Sequence, residues 1–406
     1  MNTITMLAGL LAYVFTSRLV MRLFTGGLRE TLFALLNLTA VFFFLFYGGK
    51  EHYVLRFIIY LVLITGLYLF VCFFSEKRGS LPWLAFFAPI VALVLFRYVP
   101  NSAYVALGRV LHKNWPAAPN MIGISYLAFR CSRLVLEIRN GAVKKPNFLE
   151  YFNFAFFMPT MPVGPINSYA NFRRGFLPER YEVPVGRAAL RVLVGAVKYQ
   201  FLGGLCNQLT YSGLLMDDHP HRWIDLPVAM FFYYLYLYLN FSGFCDMAIG
   251  AAGLIGIPVP ENFENPFAAR NVKDFWNRWH ITLSIYMRDV VFSPLSKFLV
   301  RTMGVQLADH AIALTITAVF LLVGIWHGAG WNFAAYGLVH AIGVVTNHYY
   351  TIFLKKRLGR DGFKAYNQNP WIHAAAVFLT FCYCGASLFF FANSFPDMKD
   401  ILSRLR

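Results

Sequence analysis

The chain is short of charge, and shortest of negative charge. Of 406 residues only 14% are charged, with 36 Lys or Arg against 19 Asp or Glu. An ordinary soluble domain carries about 25%, so a soluble fold of this length would leave broad apolar surface in water. Cysteine is scarce too. The six cysteines lie mostly in apolar stretches, and Cys382-Tyr383-Cys384 has neither metal nor redox spacing. A disulfide scaffold is excluded, and the cysteines read as small buried hydrophobes. No G-x-S-x-G, H-E-x-x-H, Walker A or dinucleotide fingerprint occurs, so hydride transfer and nucleotide hydrolysis have no residues to stand on. The net charge of +17 would suit a nucleic-acid binder, but the mean hydropathy of +0.53 does not. No nucleic-acid partner is expected.

What the chain has is apolar length. Segments of about the 20 residues needed to cross a bilayer recur at 5–24, 30–48, 54–74, 81–98, 120–138, 187–210, 226–256, 308–326, 331–353 and 371–392. The 226–256 segment is long enough to be bent or split. The expectation is an all-α polytopic integral membrane protein with about 10–11 transmembrane helices plus re-entrant and interfacial helices. Residues 1–406 read as one integral domain, because no repeat of 20–50 residues and no inverted halves are visible. Residues 6–24 read as a first anchor rather than a cleaved signal.

Basic residues cluster at Lys77-Arg78, Lys144-Lys145, Arg173-Arg174, Arg270 to Arg288, and Lys355 to Arg360. Short loops rich in Lys and Arg stay cytoplasmic, so these five places mark the inner face. Anionic membrane lipids account for part of the charge, and an acidic cytosolic protein could dock on it.

Between Arg301 and Lys355 lie 53 residues without Lys or Arg, and only Asp309 is acidic. Two spanning helices fit there and return the chain to its starting side. The midpoint is Gly328-Ala329-Gly330, directly after Trp326-His327. This puts His327 near the far turn of a helical hairpin. Histidine titrates near neutrality and is the usual general acid or base, although a histidine in an interfacial aromatic belt would also suit the position.

A second polar group lies in Asp274 to Asp289, "DFWNRWHITLSIYMRD". At helical spacing Asn277, His280, Ser284 and Arg288 fall at i, i+3, i+7 and i+11, with Trp276, Trp279, Leu283, Tyr286 and Met287 on the other side. Such a helix lies in the interface or lines a polar cavity. Asp246, in the apolar run "YLNFSGFCDMAIG", must be paired or face a cavity. "IPVPENFENPF" (257–267) should form an ordered loop. "FFMPTMPVGPI" (156–166) suits a re-entrant segment. Asp217, Asp218, His219 and His221 lack ligand spacing and read as a solvated loop, so no metal site is expected.

At these residues the chain resembles the membrane-bound O-acyltransferase family. "NFSGFCDMAIG", "PENFENPF" and "KDFWNRWHITLS" follow one another, and His327 in "WHGAGWN" comes 47 residues after His280. "GISYLAFR" (123–130) and "MPVGPINSY" (161–169) match further segments in the family's order. The resemblance covers residues 120–345 and is greatest to the bacterial envelope branch of teichoic acid D-alanylation and alginate O-acetylation. It implies that His327 is the family's catalytic histidine and His280 its second, tunnel-associated one. Asn277, Arg278 and Trp279 match the "NRWH" block, and with Ser284, Trp326 and Asp246 are expected to contact substrate. One departure is Asn240, which stands where bacterial relatives usually carry Asp.

The implied reaction moves a small acyl group, D-alanyl or acetyl, from a cytoplasmic thioester to an extracytoplasmic hydroxyl. His327 would deprotonate the hydroxyl, and His280, Asn277 and Arg278 would position the donor or steady developing negative charge. No bound cofactor is expected. The donor would be an acyl group on the phosphopantetheine arm of an acidic carrier protein, or acyl-CoA. The other expected partners are membrane lipids, an extracytoplasmic acyl-transfer protein and a glycopolymer acceptor, in the bacterial cytoplasmic membrane. The chain length favours the D-alanyl subgroup, while the excess of Arg over Lys points away from a typical teichoic-acid organism. A transporter or flippase for a polymer precursor is the alternative, and it leaves the two histidine motifs unexplained.

Overall fold

Long apolar runs in this sequence become helices, because a helix satisfies its own backbone hydrogen bonds where water is absent. The computed structural model describes residues 3–46, 53–98, 123–177, 181–216 and 220–406. Among them there is no strand beyond two isolated bridges. Six helices among the described residues are long and apolar enough to cross a membrane: Gly26–Phe44, Tyr53–Phe74, Val185–Leu215, Asp225–Ile255, Val305–His327 and Pro370–Ala392. The polytopic all-α expectation holds. The long 226–256 segment is one continuous helix, not a split one.

The expected span at 120–138 is different in kind. Its described part begins at Gly123, and the helix Ile124–Arg139 is short, with most of its side chains buried in protein. Asp217, Asp218 and His219 lie outside the described residues. Contacts gather into two units, Met1–Val194 with Phe244–Pro260, and Gly195–Gly243 with Glu261–Arg406.

In the first unit, Arg130 holds the chain where the 156–166 segment begins. Its side chain is 1% exposed. It donates to the carbonyls of Phe154 and Ala155, each at 3.1 Å, and to Thr160 Oγ1 at 3.2 Å. Those carbonyls end the helix Phe148–Ala155, where "FFMPTM" turns away and leaves them without helical partners. The two family-like segments also meet here. Gly123 has φ +79°, and a Cβ on it would lie 2.5 Å from the Met161 carbonyl oxygen, so only glycine fits. Asp246 is paired, as its apolar surroundings require: Arg191 donates to its Oδ1 from Nε at 3.1 Å and from Nη2 at 3.0 Å.

In the second unit, the helical hairpin forms as the charge-free stretch predicts. One helix runs Ala308–His327, the chain turns through Gly328 to Gly330, and the next begins at Trp331. Gly324 and Gly337 face each other across the hairpin. A Cβ on Gly324 would collide with the Phe333 carbonyl, and one on Gly337 with the Phe320 carbonyl. This close approach fixes where the first helix ends, and therefore where His327 sits. The second helix continues to Gln368 with a kink at Gly359, whose φ is +65°.

Candidate active site

The polar stripe expected between Asn277 and Arg288 is broken by the backbone. A short helix, Val272–Arg278, ends at Trp279. His280 has φ 47° and ψ 50°, and a new helix starts at Ile281. A left-handed conformation is rare for a residue other than glycine and persists only where its surroundings impose it. Here the "PENFENPF" loop imposes it. Glu264 N–H donates to the Arg278 carbonyl at 2.9 Å, and Ile281 N–H to the Asn262 carbonyl at 3.0 Å. Phe263 and Trp279 form an antiparallel bridge between these bonds. Two segments that follow one another in sequence thus clamp His280 from both sides.

The break divides the expected site residues. His280 is 3% exposed and Trp279 is buried, whereas Asn277 is exposed. Arg278 is held by Asp274, Nε to Oδ1 at 2.9 Å, and reaches the Glu264 carbonyl at 3.4 Å. Asn277 and Arg278 therefore do not join His280. They differ because the reversal at Trp279–His280 turns successive side chains away from a common helix face. Ser284 Oγ is buried and has no hydrogen-bond partner among the described residues. Asp246 belongs to the first unit, in its ion pair with Arg191.

The two expected catalytic residues do come together. The ring of Trp326 lies 6.2 Å from that of His280 and 4.6 Å from that of His327, centroid to centroid. One indole thus packs near both imidazoles. The edge of the group is aromatic: Phe241 stands 4.8 Å from His280, and Phe391 stands 4.9 Å from His327. His280, outside the candidate spans, is pushed down to about 3 by burial and by nearby His327, so it is neutral at physiological pH.

A third histidine was not legible in the sequence. His340 is 1% exposed, and its ring is 4.6 Å from Tyr336, which lies 6.0 Å from His327. Its bonds fix its state. Trp276 Nε1 can only donate and sits 3.1 Å from His340 Nδ1, so Nδ1 carries a lone pair. Nε2 then carries the proton, 2.9 Å from Ser387 Oγ, which donates onward to the Cys384 carbonyl at 2.7 Å. His340 is neutral with both nitrogens occupied. It supports the site and has no lone pair left for chemistry.

A cavity of about 630 Å³ in the same unit is lined by residues including Arg270, Asn347, Tyr350, His373 and Tyr383. Neither His280 nor His327 is among the residues that line it.

The sequence profile of the membrane-bound O-acyltransferase family matches residues 121–389. The chain belongs to this family. The matched stretch contains His280, Trp326, His327 and His340. A teichoic acid D-alanyltransferase of Streptococcus thermophilus is 32% identical over 296 residues, 69% of this chain and 70% of that protein. Another from Bacillus subtilis is 27% identical over 367 residues, 83% of this chain and 91% of that one. A peptidoglycan O-acetyltransferase of Helicobacter pylori is 30% identical over 223 residues, but these are 52% of this chain and 39% of that protein. The chain is thus a membrane O-acyltransferase, as its motifs imply, and the transporter alternative falls away.

Proposed function

We propose that this acyltransferase moves a small acyl group, D-alanyl in preference to acetyl, from a cytoplasmic thioester donor to a hydroxyl of an extracytoplasmic glycopolymer or relay protein. The membrane is the bacterial cytoplasmic membrane. The donor is the phosphopantetheine arm of an acidic carrier protein, with acyl-CoA as the second choice. The observation that carries the proposal is that His280 and His327 both lie beside the ring of Trp326. The preference for D-alanyl rests on coverage. A relative named for D-alanyl transfer aligns over 91% of its length, whereas the one named for peptidoglycan O-acetylation aligns over 39%.

In the proposed step the acceptor oxygen attacks the thioester carbonyl while His327 takes the hydroxyl proton. The carbon–sulfur bond then breaks, the thiolate leaves, and the proton on His327 passes to it. The net products are an ester and a free thiol. The Lys and Arg excess gives an acidic carrier an electrostatic path to the membrane surface.

The test is mass spectrometry of extracellular glycopolymers from cells carrying wild-type or His327→Ala protein at matched membrane levels. An alanyl ester present in the first and lost in the second supports the reading and identifies the group. An acetyl ester lost in the same way replaces D-alanyl with acetyl. An unchanged ester pattern overturns His327 as the base.

A further inference from the structure

One atom at the site is unexplained by the packing. His280 Nε2 is buried and meets no hydrogen-bond partner among the described residues. Leaving a buried polar atom unpaired is costly, so its persistence beside a second histidine calls for an occupant. The chemistry of that occupant follows from the other side of the ring. His280 Nδ1 lies 3.2 Å from Asn262 Oδ1. The same Oδ1 receives the Thr282 backbone N–H at 3.1 Å and the Thr282 hydroxyl at 2.9 Å.

A backbone N–H can only donate. The Asn262 atom facing it is therefore the carbonyl oxygen and not the amide nitrogen. A carbonyl oxygen can only accept, so Nδ1 of His280 must carry its proton to form the bond. In the other tautomer two lone pairs would face each other at that distance. An imidazolium would bury a second N–H at Nε2 with no acceptor. The neutral Nδ1–H form alone satisfies the geometry.

We propose that Asn262 fixes His280 in this tautomer, so that His280 meets substrate through Nε2 as a hydrogen-bond acceptor for an O–H or N–H group. This rests on the acyl-transfer reading and sharpens it. An imidazole whose only N–H is held by Asn262 has none to offer a developing oxyanion, so steadying negative charge falls to other groups. Asn262 is a positioning residue. The left-handed backbone at His280 and the clamp of residues 262–264 on residues 278–281 hold the ring so that Nε2 is the end left over. The X–H group belongs either to the acceptor hydroxyl or to the acyl donor, which carries amide N–H groups in its arm and an ammonium if the acyl group is D-alanyl.

The test has a spectroscopic and a kinetic part, both on the full chain in lipid nanodiscs. In nitrogen-15 imidazole NMR, with the His280 signals assigned by their loss in His280→Asn, wild type should show the neutral Nδ1–H tautomer from pH 7.5 down to pH 6. An Nε2–H tautomer, or an imidazolium in that range, overturns the proposal without touching the acyl-transfer reading, because no turnover is needed. In the kinetic part Asn262→Asp keeps the acceptor oxygen but adds a charge that favours protonated His280. The acid limb of kcat/KM should move up by about one pH unit or more. Asn262→Leu should lose about tenfold or more in rate at every pH. A rise in KM confined to the acceptor assigns Nε2 to the hydroxyl, and one confined to the donor assigns it to the thioester arm. Equal stability loss in both variants with no movement of the acid limb would reduce Asn262 to a structural role and sink the proposal.

Discussion

Trp276 donates its indole N–H to Nδ1 of His340 at 3.1 Å, across 64 residues of sequence. This single bond decides that the most buried histidine of the site is a support and not a base. It also ties the short helix before His280 to the hairpin helix that follows His327. The family-like "KDFWNRWH" segment is thus tied to the helix that begins in "WHGAGWN" by a bond that neither segment announces.

Breaking that network should cost stability more than chemistry. Ser387→Ala leaves the His340 N–H without its acceptor and should lower unfolding stability by about 1–3 kcal/mol. Acyl transfer per folded molecule should stay within about threefold of wild type. A thermal melt with a matched activity assay checks both, and a hundredfold loss of rate at unchanged stability would mean that His340 takes part in the reaction.

The hairpin crossing should be intolerant of a single methyl group. Gly324→Ala places a Cβ against the Phe333 carbonyl, and relief requires the helices to separate, at a cost of about 1–3 kcal/mol. Because His327 ends that helix, activity should fall with stability. Gly66→Ala is the control, since nothing lies within 4 Å of a Cβ there. It should be neutral or slightly stabilising in a helix interior.

Acid should destabilise the fold through His280. In the folded protein its pKa is pushed down to about 3, while an unfolded histidine titrates near 6.5. Between those values the unfolded chain binds a proton that the folded one refuses. Stability is therefore fully present above about pH 6.5 and falls as pH drops toward 3, with a slope approaching ~1.4 kcal/mol per pH unit. Wild type should lose more stability than His280→Asn between pH 7 and pH 5. Equal losses in a denaturant titration would contradict a neutral, buried His280.

Asp246 should behave as half of an ion pair. Asp246→Asn or Arg191→Gln alone removes this bond from a partly buried site, at about 1–3 kcal/mol. Replacing both by leucine should recover most of that loss. If Asp246→Asn instead raised substrate KM without changing stability, Asp246 would be a binding residue after all.

The amino-acid sequence determined what is one-dimensional here. Apolar run length set the helices, because the bilayer demands self-satisfied backbone. The 53 residues free of Lys and Arg set a hairpin with its turn at Gly328 to Gly330, and so put His327 at a helix end. Motif order indicated the family. Tertiary structure alone decided the rest. The reversal at Trp279–His280 depends on pairing with residues 262–264, so a helical reading of Asn277, His280 and Ser284 could not survive it. Asn262 falls within the loop expected at 257–267 and nothing in the sequence singles it out, yet its side-chain oxygen faces His280 Nδ1. His340 was one more histidine in an apolar helix until Trp276 and Ser387 claimed both its nitrogens. Which nitrogen of an imidazole carries the proton is set by the atoms facing it, and those atoms come from segments that only folding brings together.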